Sequence, residues 1–251
     1  MSDEINSENA TEGNEKKSSK KWLAGLVIAA LILLWVAPPL AAELYLRDNI
    51  GNLMRADSPD EVNLDTNTFK LLSGSFDNLE VKGSNLKIGN LKIDKYELIA
   101  SSGKVSIMET LREKDVVVKE SPVADLTMYV AIEDMKELLE AYYESLNDME
   151  VVAKEGYLEI SGVSDTPRGK SVPIVFEVEL SSSDWSSLQV EVTDLSQADT
   201  YALQLNEEEV EELIEVYTID ISFENTSPAI FINSVNITTQ EVVITANTSL
   251  S

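Results

Sequence analysis

Val172-Pro173-Ile174-Val175-Phe176-Glu177-Val178-Glu179-Leu180 is the stretch whose reading decides the fold. Val172, Ile174, Phe176, Val178 and Leu180 share one face of an extended chain, while Val175, Glu177 and Glu179 share the other. Strict alternation of this kind marks an antiparallel sheet with one face buried and one face wet. The period recurs on both sides. Leu188, Val190 and Val192 repeat it one turn later, and Leu158 and Ile160 precede it. Val116 to Val118 and Asp125 to Ile132 read as strands, as do Ile219/Ile221/Phe223, Ile230/Ile232 and Val242/Ile244.

Strand texture begins at Thr66. Asn78-Leu79-Glu80-Val81, Asn85-Leu86-Lys87-Ile88 and Asn90-Leu91-Lys92-Ile93 echo one another around Gly83 and Gly89. So few copies cannot stack into a solenoid, so they read as short antiparallel strands with Gly/Asn turns. The apolar phase changes between Leu91/Ile93 and Tyr96/Leu98, which predicts a bulge near Asp94-Lys95.

Two segments carry the helical period instead. Ile132, Met135, Leu139, Tyr142 and Leu146 form one stripe, with Glu133, Asp134, Lys136, Glu137, Glu140 and Glu144 on the other faces. Asn206 followed by Glu207-Glu208-Glu209 starts the second helix, lined inside by Val210, Leu213, Ile214 and Tyr217. One apolar stripe and one charged side imply helices lying on a sheet. Glu133 to Tyr142 and Glu208 to Tyr217 match at five of ten positions, a faint repeat that Glu- and Leu-rich helix composition also explains.

The globular region follows an uncharged run, Trp22 to Ala42, whose 21 residues would reach roughly 31 Å as a helix, enough to cross a hydrocarbon core. Lys16, Lys17, Lys20 and Lys21 precede it, while Arg47 and Arg55 are the cations that follow closely. The excess places the N-terminus in the cytoplasm and the main domain outside, as a single-pass protein of the cytoplasmic membrane. A cleaved signal peptide is the rival, with Leu40-Ala41-Ala42 as an imperfect cleavage site. The expected division is a disordered tail over 1–19, a membrane helix over 20–42, a connecting helix over 43–56 and an extracytoplasmic domain over 57–251.

Nineteen Lys and Arg against forty-five Asp and Glu give a formal charge of −26, which argues against nucleic acid as a partner. With neither Cys nor His, thiol catalysis, histidine triads and thiolate or histidine metal sites are excluded. Carboxylate pairs such as Asp134 with Glu137 lie on a face the pattern makes solvated, so no catalytic residue, metal or cofactor is expected. Thr166-Pro167-Arg168-Gly169-Lys170 is a basic cluster that reads as a hairpin turn, or as a contact for a lipid phosphate. Asn225, Asn236 and Asn247 head N-x-S/T triplets that a Ser/Thr/Asn-rich tail produces by chance.

Phe69-Lys70-Leu71-Leu72-Ser73-Gly74, then Leu79-Glu80-Val81-Lys82-Gly83, Leu91 to Ile99 and a strand running into Asp134-Met135 together resemble the LmeA-like phospholipid-binding family of bacterial envelope proteins. The likeness covers about Thr66 to Leu139. Two departures stand out: Ala131 where that family has a capping Thr, and Lys136 where Asn is usual. The resemblance implies a tubular lipid-binding-like fold. It leads to an α+β expectation: a curved antiparallel sheet packed on two amphipathic helices, preceded by a transmembrane helix. Leu138, Leu139 and Tyr142 from the first helix with Ile174, Phe176 and Val178 from the sheet would then line a groove for acyl chains. The expected role is non-catalytic binding of phospholipid or a similar lipid in envelope maintenance or lipid handling. The alternatives are a tethered interaction module with a full core, and a carboxylate-based envelope hydrolase.

Overall fold

The computed structural model describes residues 40–47, 57, 59–105, 118–120, 123–165, 171–197, 207–224 and 229–249. Over these the chain is α+β, with mostly antiparallel strands in two sheets and four helices. The first helix, α1, covers 40–47. The others are α2 (Thr68–Leu72), α3 (Ile132–Glu140) and α4 (Glu207–Tyr217). Among the described residues no helix is long and apolar enough to cross a membrane. The run Trp22–Ala42 lies outside them save for Leu40, Ala41 and Ala42, and so do the cluster Thr166–Lys170 and Asn206.

The expected single curved sheet is two sheets. The first runs β1 (Glu61–Asp65), β2 (Ser75–Ile88), β3 (Leu91–Val105), β5 (Val123–Ala131), β12 (Glu241–Ser249) and β11 (Ile230–Ile237), with β4 (Val118–Glu120) beside β3. The second runs β10 (Ile219–Ser222), β9 (Ser187–Gln197), β8 (Ser171–Asp184), β7 (Leu158–Asp165) and β6 (Leu146–Ala153). The break comes where the chain leaves β5 through α3. Helix α3 touches β3, β5 and β12 of the first sheet and β6 of the second, whereas α4 lies on β9. One continuous apolar core results, to which both inner faces contribute.

The deciding stretch behaves as its period requires: Val172, Ile174, Phe176, Val178 and Leu180 of β8 are all buried. Strands begin earlier than the sequence texture indicated, at Glu61. The expected bulge near Asp94-Lys95 is absent, because β2 and β3 stay in register from Ser84↔Lys95 to Leu86↔Ile93. Both strands change phase together instead. Val81 and Gly83 give way to Leu86 and Ile88 on β2 just where Leu98 and Tyr96 give way to Ile93 and Leu91 on β3. Asn85, at φ 55, absorbs the change in a left-handed conformation that Asn tolerates. Just above it Gly83 faces Tyr96, whose ring occupies the space a Cβ at position 83 would need, with Oη only 2.6 Å from it.

The two sheets meet end to edge. Two hairpin tips of the second sheet close on β11, the edge strand of the first. The Ile232 N–H donates to Trp185 O at the β8–β9 tip (2.6 Å), and the Gly156 N–H at the β6–β7 tip donates to Ile237 O (3.0 Å). At the first tip, the Ser186 backbone N–H holds the Asp184 carboxyl below its usual range.

Candidate functional site

Five of the six proposed lining residues lie in the packed interior. Leu138, Leu139, Ile174, Phe176 and Val178 are each at most 2% exposed. The sixth, Tyr142, is 40% exposed. The 3-4-3-4 stripe placed it inside on the assumption that the helix continues to Leu146. Helix α3 ends at Glu140, and the chain then tightens, with the N–H groups of Tyr142 and Tyr143 both donating to Leu139 O. That turn brings Tyr143 inward and leaves Tyr142 outside.

Around Phe176 the side chains are interlocked. The Phe176 ring stacks on Tyr217 from the end of α4 (centroids 5.0 Å apart) and meets Tyr143 edge-on at 6.0 Å. Tyr143 and Tyr217 meet edge-on at 5.1 Å. The Tyr143 hydroxyl donates to Tyr217 O (2.7 Å), and the Tyr217 hydroxyl sits 2.7 Å from the Ser164 hydroxyl and 3.2 Å from that of Ser145. Burial pushes the Tyr143 phenol well above its ordinary range, so it stays a donor. Here the rings fill the place proposed for a lipid chain.

A different concavity opens where the two sheets join. Ile88 and Leu91 at the β2–β3 turn, Met128 of β5, Ile244 of β12, Ile230 and Ile232 of β11, and Phe223 line a partly open pocket of purely apolar side chains. Its cavity volume is about 10 Å³, close to the least that admits a single water. Phe223 follows β10, and its N–H donates to Ser186 O (2.8 Å), which sets the ring beside β11. The sequence carries one sign of it: Phe223 continues the inward phase of Ile219 and Ile221. The partnership with β2, β3, β5 and β12 is long-range and leaves no local mark.

Glu137 is ion-paired to Lys92 across the surface. Partial burial raises the Asp134 carboxyl, with Lys92 opposing that shift and Glu137 adding to it. Among the described residues no cluster of three or more carboxylates is placed to hold a metal ion.

Compared with family models, curated proteins and solved structures, the chain gives no match.

Proposed function

We propose that the chain binds phospholipid or a similar lipid non-covalently at the outer face of the cytoplasmic membrane, held there by the run Trp22–Ala42. The observation that carries this reading is the all-apolar pocket at the junction of the sheets. Its lining would hold an acyl chain by dispersion and exclusion of water, without chemistry. The motif likeness over Thr66 to Leu139 supports the same reading. A pocket of about 10 Å³ takes a chain only when the β6–β7 and β8–β9 tips move off β11 and Phe223 swings aside. The contact residues of this reading are therefore Phe223, Ile230, Ile232 and Ile244 rather than Leu138, Leu139 and Tyr142 with Ile174, Phe176 and Val178.

The test is photolabelling of the full chain, reconstituted in vesicles that contain a phospholipid with a diazirine near the end of its acyl chain. Cross-links in peptides carrying Phe223 and Ile232 are expected, reduced by Ile232→Trp, which fills the pocket. Labelling confined to Trp22–Arg47 and α2 would overturn uptake at the junction.

The second reading is a tethered interaction module with a full core. The interlocked rings of Tyr143, Phe176 and Tyr217 favour it. It predicts no label at the junction and no change on filling the pocket.

A further inference from the structure

Exposed apolar side chains gather at one end of the first sheet. Strand β1 ends there at Asp65, β2 begins at Ser75 and β5 begins at Val123, paired with the last residue of β12 through Val123↔Ser249. Helix α2 caps that end between β1 and β2. Its Phe69 and Leu72 are 69% and 72% exposed, and Val123 is 67% exposed. Asn67 accepts from the Lys70 N–H (3.0 Å), and Lys70 pairs with Asp77 at 2.5 Å. These contacts brace α2 so that its apolar side points outward, and they offset the only charge it carries.

Helix α1 ties this end to the apolar run. It contains the last three residues of Trp22–Ala42, and its Ala42 and Leu46 pack against the core. Its Glu43 carboxylate accepts from the Leu64 N–H (3.4 Å), four residues before α2 begins, a span of at most about 14 Å. On the opposite side of α1, Leu40 and Leu44 are 54% and 63% exposed, one helical turn apart. The body is thus fixed to the end of the run by the corner that carries Phe69 and Leu72.

We infer that this corner is a bilayer-contact face: Leu40, Leu44, Phe69 and Leu72 dip into the leaflet from which the run emerges, with Val123 at the margin. Attachment by the run alone would leave the domain free to tumble above the surface. Docking of α2 fixes its orientation and turns the remainder of the first sheet away from the membrane. With a formal charge of −26 on the chain, headgroup electrostatics cannot supply the attraction, so the contact rests on apolar insertion. This inference requires the tether but not lipid uptake at the sheet junction.

The chain has no cysteine, so single labels can be placed without background. The full chain carrying Leu72→Cys, with an environment-sensitive fluorophore on the thiol, is reconstituted in phosphatidylcholine vesicles containing a nitroxide lipid. Gln240→Cys, in the exposed turn between β11 and β12 at the other end of the sheet, is the reference. The expected result is a blue-shifted emission and severalfold stronger quenching at position 72. A nitroxide high on the acyl chain should quench more than a deep one, as insertion of about 5–10 Å requires. Raised salt should leave the quenching unchanged. Equal quenching at 72 and 240 in vesicles that float with the protein overturns the docked face while leaving the tether intact. Failure of the protein to float removes the tether itself, and the docked face with it.

Discussion

Tyr96 and Tyr217 are both buried in the same core, yet they have opposite relations to their hydroxyls. Tyr217 satisfies its hydroxyl with Ser164 and Ser145, and its backbone carbonyl takes the Tyr143 hydroxyl. Tyr96 lies over Gly83, 2% exposed, and its hydroxyl has no hydrogen-bond partner among the described residues. A buried hydroxyl without a partner loses its hydration and gains nothing in return. Tyr96→Phe is therefore expected to stabilise the fold by about 1 kcal/mol, whereas Tyr217→Phe, which strands Ser164, should cost about 1–2 kcal/mol. Urea unfolding midpoints of the two variants measure the contrast. A pH dependence accompanies it. Burial, with Asp60 and Asp57 nearby, pushes the Tyr96 phenol up to about 12, from about 10 in an unfolded chain. The folded state holds that proton more tightly, so the contribution is complete below pH about 10 and is lost as pH rises towards about 12. Tyr96→Phe should flatten the fall in stability over that window; an unchanged alkaline slope would mean the ionising group lies elsewhere.

At the scale of elements, α3 shows both what periodicity reveals and where it stops. Ile132, Met135 and Leu139 announce a helix with one apolar side, and Met135, Leu138 and Leu139 are its buried residues. The stripe could not reveal that the helix ends at Glu140, since no Gly or Pro follows and the exit is made by tightening the last turn. Tyr142 and Tyr143 therefore exchanged places. The simultaneous change of phase on β2 and β3 was legible only as a fault in one strand, because alternation is read one strand at a time and pairing is not. The start of α3 was legible in another way. Ala131 is its N-cap, with extended backbone (φ −63, ψ 149) and no side-chain cap bond, at the position where the motif calls for Thr. A hydroxyl there would accept from the N–H of Glu133 or Asp134, groups otherwise without a helical partner. Ala131→Thr is expected to stabilise the protein by about 1 kcal/mol, a rise in melting temperature of about 2–4 °C for a chain of this size. Calorimetry checks it, and no rise would mean the cap geometry is not reached. Ala131→Val, which has the shape of Thr without its side-chain acceptor, is the control.

For the molecule as a whole, alternation said which side of each strand is buried but not how many sheets the strands make. Val123↔Ser249 pairs two residues more than a hundred positions apart, and nothing local to either announces the partner. The division into two sheets matters because it creates the one kind of boundary a single curved sheet would lack. Within each sheet a strand is held by a ladder. Between them, β11 receives hairpin tips through bonds such as Ile232 N–H to Trp185 O and Gly156 N–H to Ile237 O. Opening such a junction breaks point contacts and exposes Phe223 and its neighbours, while opening β8 would break ladders on both flanks and expose Phe176. If lipid enters between the sheets, this boundary opens far more often than the whole chain unfolds. Amide hydrogen exchange on the full chain should then find the Ile232 and Gly156 amides exchanging at least about tenfold faster than those of the interior of β8 around Val178, equivalent to about 1.4 kcal/mol less protection. Added phospholipid should speed exchange of the Ile232 amide selectively, because an acyl chain seated against Phe223 binds the state in which the Ile232 N–H has left Trp185 O, and leaves β8 as it was. Exchange at the junction as slow as in β8 would leave an acyl chain no route in, and would favour the full-core module over the lipid binder.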